Sequence, residues 1–248
     1  MKSPLIPINI LSIYKNKLGD ALPLPTRMAQ CTPDTHAAIF NIAKDLAKKG
    51  GKLVLSDLFR SYDMQAQSHA DYLSKKKKAF SPAPGGSFHE AGRAFDLDLS
   101  AIKIPLVDFW KLAAKYGVVP IVSTPKANQS EAWHFDCRGS HQLLYQYYEQ
   151  GKGNNFKPYA AASASAILSI GVKVDVFGAN QTQAALQSCL IRLGKAIGNM
   201  DGQIGKKTHK ALDELNIPFD AKNPEDMLLQ AEHLVQQKFP LEFRLPGA

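Results

Sequence analysis

Apolar residues recur at helical spacing at Ala38, Ile39, Ile42 and Leu46, which predicts a helix starting at Thr32-Pro33-Asp34 and stopping at Gly50-Gly51. Leu53 to Leu55 follows as a short apolar strand, and Tyr62 to Lys78 reads as a second helix. Ser81-Pro82-Ala83-Pro84-Gly85-Gly86 shows neither period and is dense in breakers, so it is loop. Alternation over Ala94 to Leu99 predicts a strand. A helix from about Pro105 to Tyr116, a β-branched run Val118 to Val122, a strand at Ala132 to Asp136 and a helix from Ser140 to Glu149 complete this part. The opening before Thr32 is rich in proline and reads as irregular. Strands and helices mix without regular βαβ alternation, so the expected fold class is α+β with a mostly antiparallel sheet.

The pattern changes at Gly151-Lys152-Gly153-Asn154-Asn155 and runs on into the small-residue tract Ala160 to Ala166. Residues 156–180 therefore read as a linker between a first domain, 1–155, and a last one, 181–248. The last third carries helices at Gln181 to Leu193, Lys206 to Leu215 and Pro224 to Lys238, a small three-helix domain.

Composition narrows the classes. A formal net charge of +8 favours an acidic partner such as nucleic acid, anionic lipid or a wall polymer. The clearest basic run, Lys75 to Lys78, lacks the aromatic interleaving of a nucleic-acid binder and reads as a solvated helix face, so nucleic acid is not an expected partner. Cys31, Cys137 and Cys189 are odd in number and far apart, which indicates neither a disulfide framework nor a cysteine metal site. No apolar stretch approaches the ~20 residues that span a bilayer, and no signal-peptide pattern stands in Met1 to Tyr14, which Pro4 and Pro7 interrupt.

Candidate metal chemistry lies in two clusters. Ser87-Phe88-His89-Glu90-Ala91-Gly92-Arg93-Ala94-Phe95-Asp96 places a histidine in a glycine-containing turn and an aspartate on the next strand. In Glu131-Ala132-Trp133-His134-Phe135-Asp136, a second histidine follows a glutamate by three positions. Two histidines and one carboxylate leave a tetrahedral zinc ion one open position, as catalytic zinc requires, and leave the glutamate free to act as base.

The pattern S-x-H-x-x-G-x-A-x-D followed by E-x-W-H resembles the zinc D-alanyl-D-alanine carboxypeptidase family, which also includes L-alanyl-D-glutamate endopeptidases of phage lysins and shares a fold with the hedgehog signalling domain. The resemblance implies one zinc ion per chain on His89, Asp96 and His134, with Glu131 as general base and acid. Ser56 to Gln65 matches a further signature of the family, S-x-x-R-S-x-x-x-Q, with Asp57 where a glycine is usual. It implies that Arg60 sits over the scissile carbonyl, with Gln65 either binding substrate or supporting the residues that do. Ser87 orients either the His89 loop or the substrate, and Trp133 either packs behind Glu131 and His134 or lies beside a stem peptide. Asp98 and Asp136 each stand two positions past a proposed ligand, so each either accepts the free ring N–H of a ligand histidine or makes a solvent salt bridge. His36, His69, His141, His209 and His233 read as surface groups.

In the last third, Leu186-Gln187-Ser188-Cys189-Leu190, Leu193-Gly194, Gly198, Asp201-Gly202-Gln203-Ile204-Gly205, Thr208 and Ala211-Leu212 together resemble the three-helix peptidoglycan-binding domain often fused to wall hydrolases. Ile204 and Asp213-Glu214-Leu215 depart from its pattern. The resemblances imply a monomeric peptidase of the cell envelope whose partner is peptidoglycan. It is expected to cut D-alanyl-D-alanine bonds as a carboxypeptidase or crosslink endopeptidase. The alternatives are L-alanyl-D-glutamate cleavage, with phage-lysin-type release, and a zinc-stabilised wall-binding module without turnover.

Overall fold

The computed structural model describes residues 1–245, and the chain divides into two compact units. One holds Leu5–Ala83 and Ser87–Gly139; the other holds Met1–Pro4, Pro84–Gly86 and Ser140–Arg244.

The first unit is α+β. Its strands are β1 (Ile6–Pro7), β2 (Leu11–Lys15), β3 (Ala21–Pro23), β4 (Gln30–Cys31), β5 (Leu55–Asp57), β6 (Ala94–Leu97), β7 (Val118–Pro120) and β8 (His134–Cys137). β1 pairs with β4, and the larger sheet runs β3-β2-β5-β6-β8-β7, antiparallel except between β2 and β5. Three helices complete the unit: α1 (Pro33–Ala47), α2 (Tyr62–Leu73) and α3 (Leu106–Ala114). Ile39, Ile42 and Leu46 of α1 and Phe109 of α3 are fully buried with Leu55, Phe95 and Phe135 from the sheet. Phe135 meets Phe109 edge-on with ring centroids 5.1 Å apart and stacks on Phe95 at 6.1 Å.

Because side chains alternate across a strand, the residues between these phenylalanines face the other way. Asp96 stands opposite His134 in the β6–β8 register, and Ala94 opposite Asp136. All four are buried as well, so the central strands carry an apolar face on the core and a covered polar face on the other side.

Several expectations are corrected. The opening is not irregular but supplies β1 to β4, hidden from pattern reading because β2 exposes Leu11, Ile13 and Tyr14 and buries only Ser12. α2 ends at Leu73 rather than Lys78, since Lys75 takes a left-handed φ of 64° that no helix accommodates.

The boundary lies between Gly139 and Ser140, not at 155, and residues 156–180 are not a linker. They contain α5 (Pro158–Ser169), which packs with α4 (Gln142–Glu149) and α6 (Gln181–Arg192). Ala161 to Leu168 are buried without a break, so α5 has no polar stripe and its small residues imitate linker composition. His141, expected at the surface, is fully buried and meets Ser165 Oγ at 2.7 Å through Nδ1.

α7 (Lys206–Asp213) and α8 (Pro224–Lys238) complete the helical unit. Buried Gln187 explains the spacing of the Leu-Gln and Asp-Gly elements there. Its Oε1 accepts the Asp201 and Gly202 amides at 2.9 and 2.7 Å, and its Nε2 donates to Asp201 Oδ1 and the Gln203 carbonyl. Gly202 has φ 77°, and a Cβ there would stand 2.6 Å from Asn180 Cβ, so both backbone and space demand glycine. The last three residues of the expected 181–248 segment lie outside the described residues. No helix among the described residues is long and apolar enough to cross a membrane.

Candidate metal centre

The polar face of β6 and β8 brings Asp96 and His134 together, and a short turn brings His89 to them. That turn is a 3-10 helix, Phe88–Ala91, whose sequence caps itself. Ser87 Oγ accepts the His89 amide, Glu90 Oε2 accepts the Ser87 amide at 3.2 Å, and Gly92 closes the turn at φ 61°. A Cβ on Gly92 would meet Cys31 Cα at 2.8 Å, so the motif's serine and glycine both have local structural causes. Ser87, 2% exposed, therefore shapes the His89 turn.

His89 is then clamped to the segment before α2. Its Nδ1 lies 2.6 Å from the Leu58 carbonyl, and its own carbonyl accepts the Arg60 amide at 3.1 Å. A carbonyl only accepts, so Nδ1 carries a proton, and Nε2 is the ring atom turned to the cluster. His134 is held in the mirror sense. Its Nε2 meets the buried Asp136 Oδ1 at 2.9 Å, leaving Nδ1 toward Asp96 Oδ1, also at 2.9 Å. His89 Nε2 stands 3.3 Å from His134 Nδ1 and 3.4 Å from Asp96 Oδ1.

These three atoms suit one metal ion. Tetrahedral zinc with bonds of ~2.1 Å needs donors ~3.4 Å apart, close to the observed triangle. The charge balance fits as well. Burial opposes charge on His134, yet the Asp136 and Asp96 carboxylates overcome it and push the imidazole up to about 10. Burial likewise opposes charge on Asp96, but His89 and the hydrogen bonds from both histidines hold it well below the usual carboxylate range. The pocket favours a cation.

Glu131 supplies the remaining group. Its Oε1 is buried with no hydrogen-bond partner among the described residues, and burial raises its pKa above the ordinary carboxylate value. The residue sits at φ 64°, a strained conformation outside glycine, while its carbonyl accepts the His134 amide at 3.1 Å. Strain and an unmet lone pair at one residue cost free energy, and such costs cluster at working sites.

Arg60, 9% exposed, donates through Nε to Asp57 at 2.6 Å, through Nη1 to Gln65 Oε1 at 3.2 Å and through Nη2 to Asp96 Oδ2 at 3.5 Å. Ser61 caps α2 by accepting the Met64 amide, and buried Gln65 passes its Nε2 to Ser81 Oγ and the Pro82 carbonyl. The signature before and into α2 thus builds a rigid guanidinium mount beside Asp96. Asp57, the departure from the usual glycine, is its shortest anchor.

The structure brings together His89, Asp96, His134, Glu131, Arg60, Gln65 and Ser87. Trp133 is half-buried, and its carbonyl ties β8 to β6 by accepting the Leu97 amide at 3.1 Å. Asp98 does not join them: it lies past the end of β6, and its carboxylate accepts the Ser100 amide at 2.9 Å in a turn. Asp136, weighed equally in the sequence, takes the ring contact because β8 continues through it while β6 stops at Leu97. The Leu58 carbonyl and Asp57 were missed. A backbone acceptor leaves no mark in sequence, but Asp57, three residues before Arg60, was a readable ion-pair signal.

No protein-family model matches the chain, and no curated protein matches it. Solved structures do. The LdcB LD-carboxypeptidase, whose structure addresses peptidoglycan recognition, is 19% identical with a TM-score of 0.41; the match covers 53% of this chain and 66%, just under two thirds, of that one. DacB from Streptococcus pneumoniae is 23% identical with a TM-score of 0.36, covering 56% of this chain and 85% of that one. A mutant of the vancomycin-resistance D,D-pentapeptidase VanY in complex with Zn(II) is 14% identical with a TM-score of 0.35, covering 57% and 84%.

Proposed function

We propose that the chain is a zinc-dependent peptidase of peptidoglycan stem peptides, cutting D-alanyl-D-alanine bonds as a carboxypeptidase or crosslink endopeptidase. The observation that carries this reading is the pairing of a buried, unpartnered Glu131 carboxylate oxygen with the His89–Asp96–His134 triangle. His89, Asp96 and His134 are the residues that would hold zinc, which when bound polarises a carbonyl and acidifies water. Glu131, its pKa raised by burial, is suited to take the proton of the attacking water and return it to the departing amine. Arg60 keeps its charge at any working pH and meets developing negative charge on the carbonyl oxygen from a mount that does not have to reorganise. Asp136 and the Leu58 carbonyl fix the tautomer and aim of the two histidines.

A purely structural zinc site closes with four protein ligands, whereas this triangle offers three and leaves the Glu131 carboxylate beside the open position, which argues against that reading. The helical unit, with its Gln187-clamped Asp-Gly turn, is proposed to hold the wall polymer, raising the local concentration of stems. Digestion of purified muropeptides by the zinc-loaded protein, followed by mass spectrometry, tests the reading. Loss of a single terminal alanine or opening of D-alanyl crosslinks is expected. Release of whole stems would assign L-alanyl-D-glutamate cleavage instead, and unchanged muropeptides would sink the enzymatic reading.

A further inference from the structure

In the basic run after α2, three lysines are solvated as expected, and Lys77 is not. Lys75, at φ 64°, turns the chain back, so the Lys77 amide donates to the Asp71 carbonyl at 2.9 Å instead of continuing the helix. Lys75, Lys76 and Lys78 stay exposed while Lys77 is half-buried. Its Nζ lies along α2 and donates to Ser68 Oγ at 2.9 Å. Ser68 Oγ in turn takes Ser81 Oγ at 2.9 Å, Ser81 Oγ accepts Gln65 Nε2, and Gln65 Oε1 accepts Arg60 Nη1. A continuous line of hydrogen bonds therefore joins the Lys77 ammonium to the guanidinium beside the metal cluster.

No carboxylate among the described residues lies within ion-pair distance of the Lys77 ammonium. It is near enough to Arg60, Asp96, Asp57 and Glu131 for their charges to act on it, and it is one of the charges that lower Glu131 in return. Burial, and after it the Arg60 charge, pushes its own pKa down against the more distant Asp96, Asp57 and Glu131 carboxylates, which only partly offset them. A half-buried ammonium hydrogen-bonded to a neutral hydroxyl, with no carboxylate among the described residues in ion-pair contact, is suited to an anionic ligand.

We propose that Lys77 binds the carboxylate one residue beyond the scissile bond, making the substrate a stem peptide whose departing residue carries a free carboxylate. The inference rests on the peptidase reading above, because Arg60 and Glu131 define where the scissile carbonyl lies. Lys77 grips the departing residue from one side while Arg60 serves the carbonyl from the other. The Ser68–Ser81–Gln65 line fixes the spacing between the two cations.

The test uses the full chain with zinc and two synthetic stem pentapeptides at neutral pH, one ending in a free carboxylate and one in a carboxamide. Binding is measured by calorimetry in the Glu131→Gln background, so that turnover does not interfere. The free acid should bind about 10- to 100-fold tighter than the amide, the range expected for one charge-assisted hydrogen bond. Adding Lys77→Gln should erase that difference by weakening the acid alone, and Lys77→Arg should restore part of it. A preference for the acid that survives Lys77→Gln, equal binding of both peptides without that substitution, or binding of neither overturns the proposal. Turnover by the protein without substitutions is read in parallel. If neither peptide is cut, the peptidase reading falls whichever way the binding comes out.

Discussion

Each unit of this protein buries a histidine among carboxylates and hydroxyls, and the two clusters are built on opposite principles. In the helical unit, Glu242 gathers Ser3, Ser140 and Arg192, while His141 faces Ser165, which pairs with Ser188. Hydroxyls and a guanidinium there face a carboxylate, and His141 Nε2 stands 3.5 Å from Glu242 Oε1, so donors are turned toward acceptors. In the α+β unit, two imidazole nitrogens and a carboxylate oxygen converge on one another, and one Glu131 oxygen has no hydrogen-bond partner among the described residues. Closed polar networks stabilise or specify a fold, whereas converging lone pairs create a demand that only a cation meets. The contrast lies in the direction of the lone pairs, not in burial or residue type.

The largest effect expected from this contrast comes from separating metal binding from proton transfer. His134→Ala should abolish stoichiometric zinc and turnover together. Glu131→Gln should keep the zinc and lose about 10²- to 10⁴-fold in kcat, the usual range for a general acid–base group. Metal analysis beside rates on soluble stem peptides reads both, and full zinc occupancy in His134→Ala would remove that residue from the site.

Glu242→Ala attacks the closed network instead. It leaves the Arg192 guanidinium, 2% exposed, without its carboxylate, and should cost about 3–5 kcal/mol in denaturant melts. At temperatures where the variant stays folded, hydrolysis of a soluble stem peptide should be unchanged. A rate that collapses while stability holds would mean the helical network acts in catalysis and the contrast is false.

The smallest effect is a pH dependence of stability in the metal-free protein. The folded pKa of Glu131 is raised, so the native state binds that proton more tightly than the unfolded chain. The stability it contributes is present below the ordinary carboxylate range and is lost as pH rises through the raised folded value. Glu131→Gln removes this loss. Metal-free Glu131→Gln should therefore melt above metal-free wild type near neutral pH and converge with it in acid. Parallel curves across the whole range would show that Glu131 is not strained electrostatically in the fold.

Much of the site was legible because its residues are tied to local chemistry. Ser87 and Gly92 build the turn that presents His89, and strand alternation places Asp96 and Asp136 on the faces they occupy. Reading failed where the physical cause was not local. The alanine-rich stretch of α5 reads as a linker because a helix covered on every side has no polar stripe to mark it. β2 escaped because its apolar residues face solvent, reversing the usual pattern.

The sequence by itself determined the α+β class, the donor types and the short-range devices that aim them, since capping, turn chirality and strand period depend only on neighbouring residues. Tertiary structure alone decided that Asp136 and not Asp98 backs a histidine, that Leu58 supplies the other acceptor, and that Lys77 folds back onto Ser68 of α2. Those outcomes depend on where a strand ends, where a distant carbonyl arrives and which face a reversed turn presents. Such distances are set by packing between segments far apart in the chain.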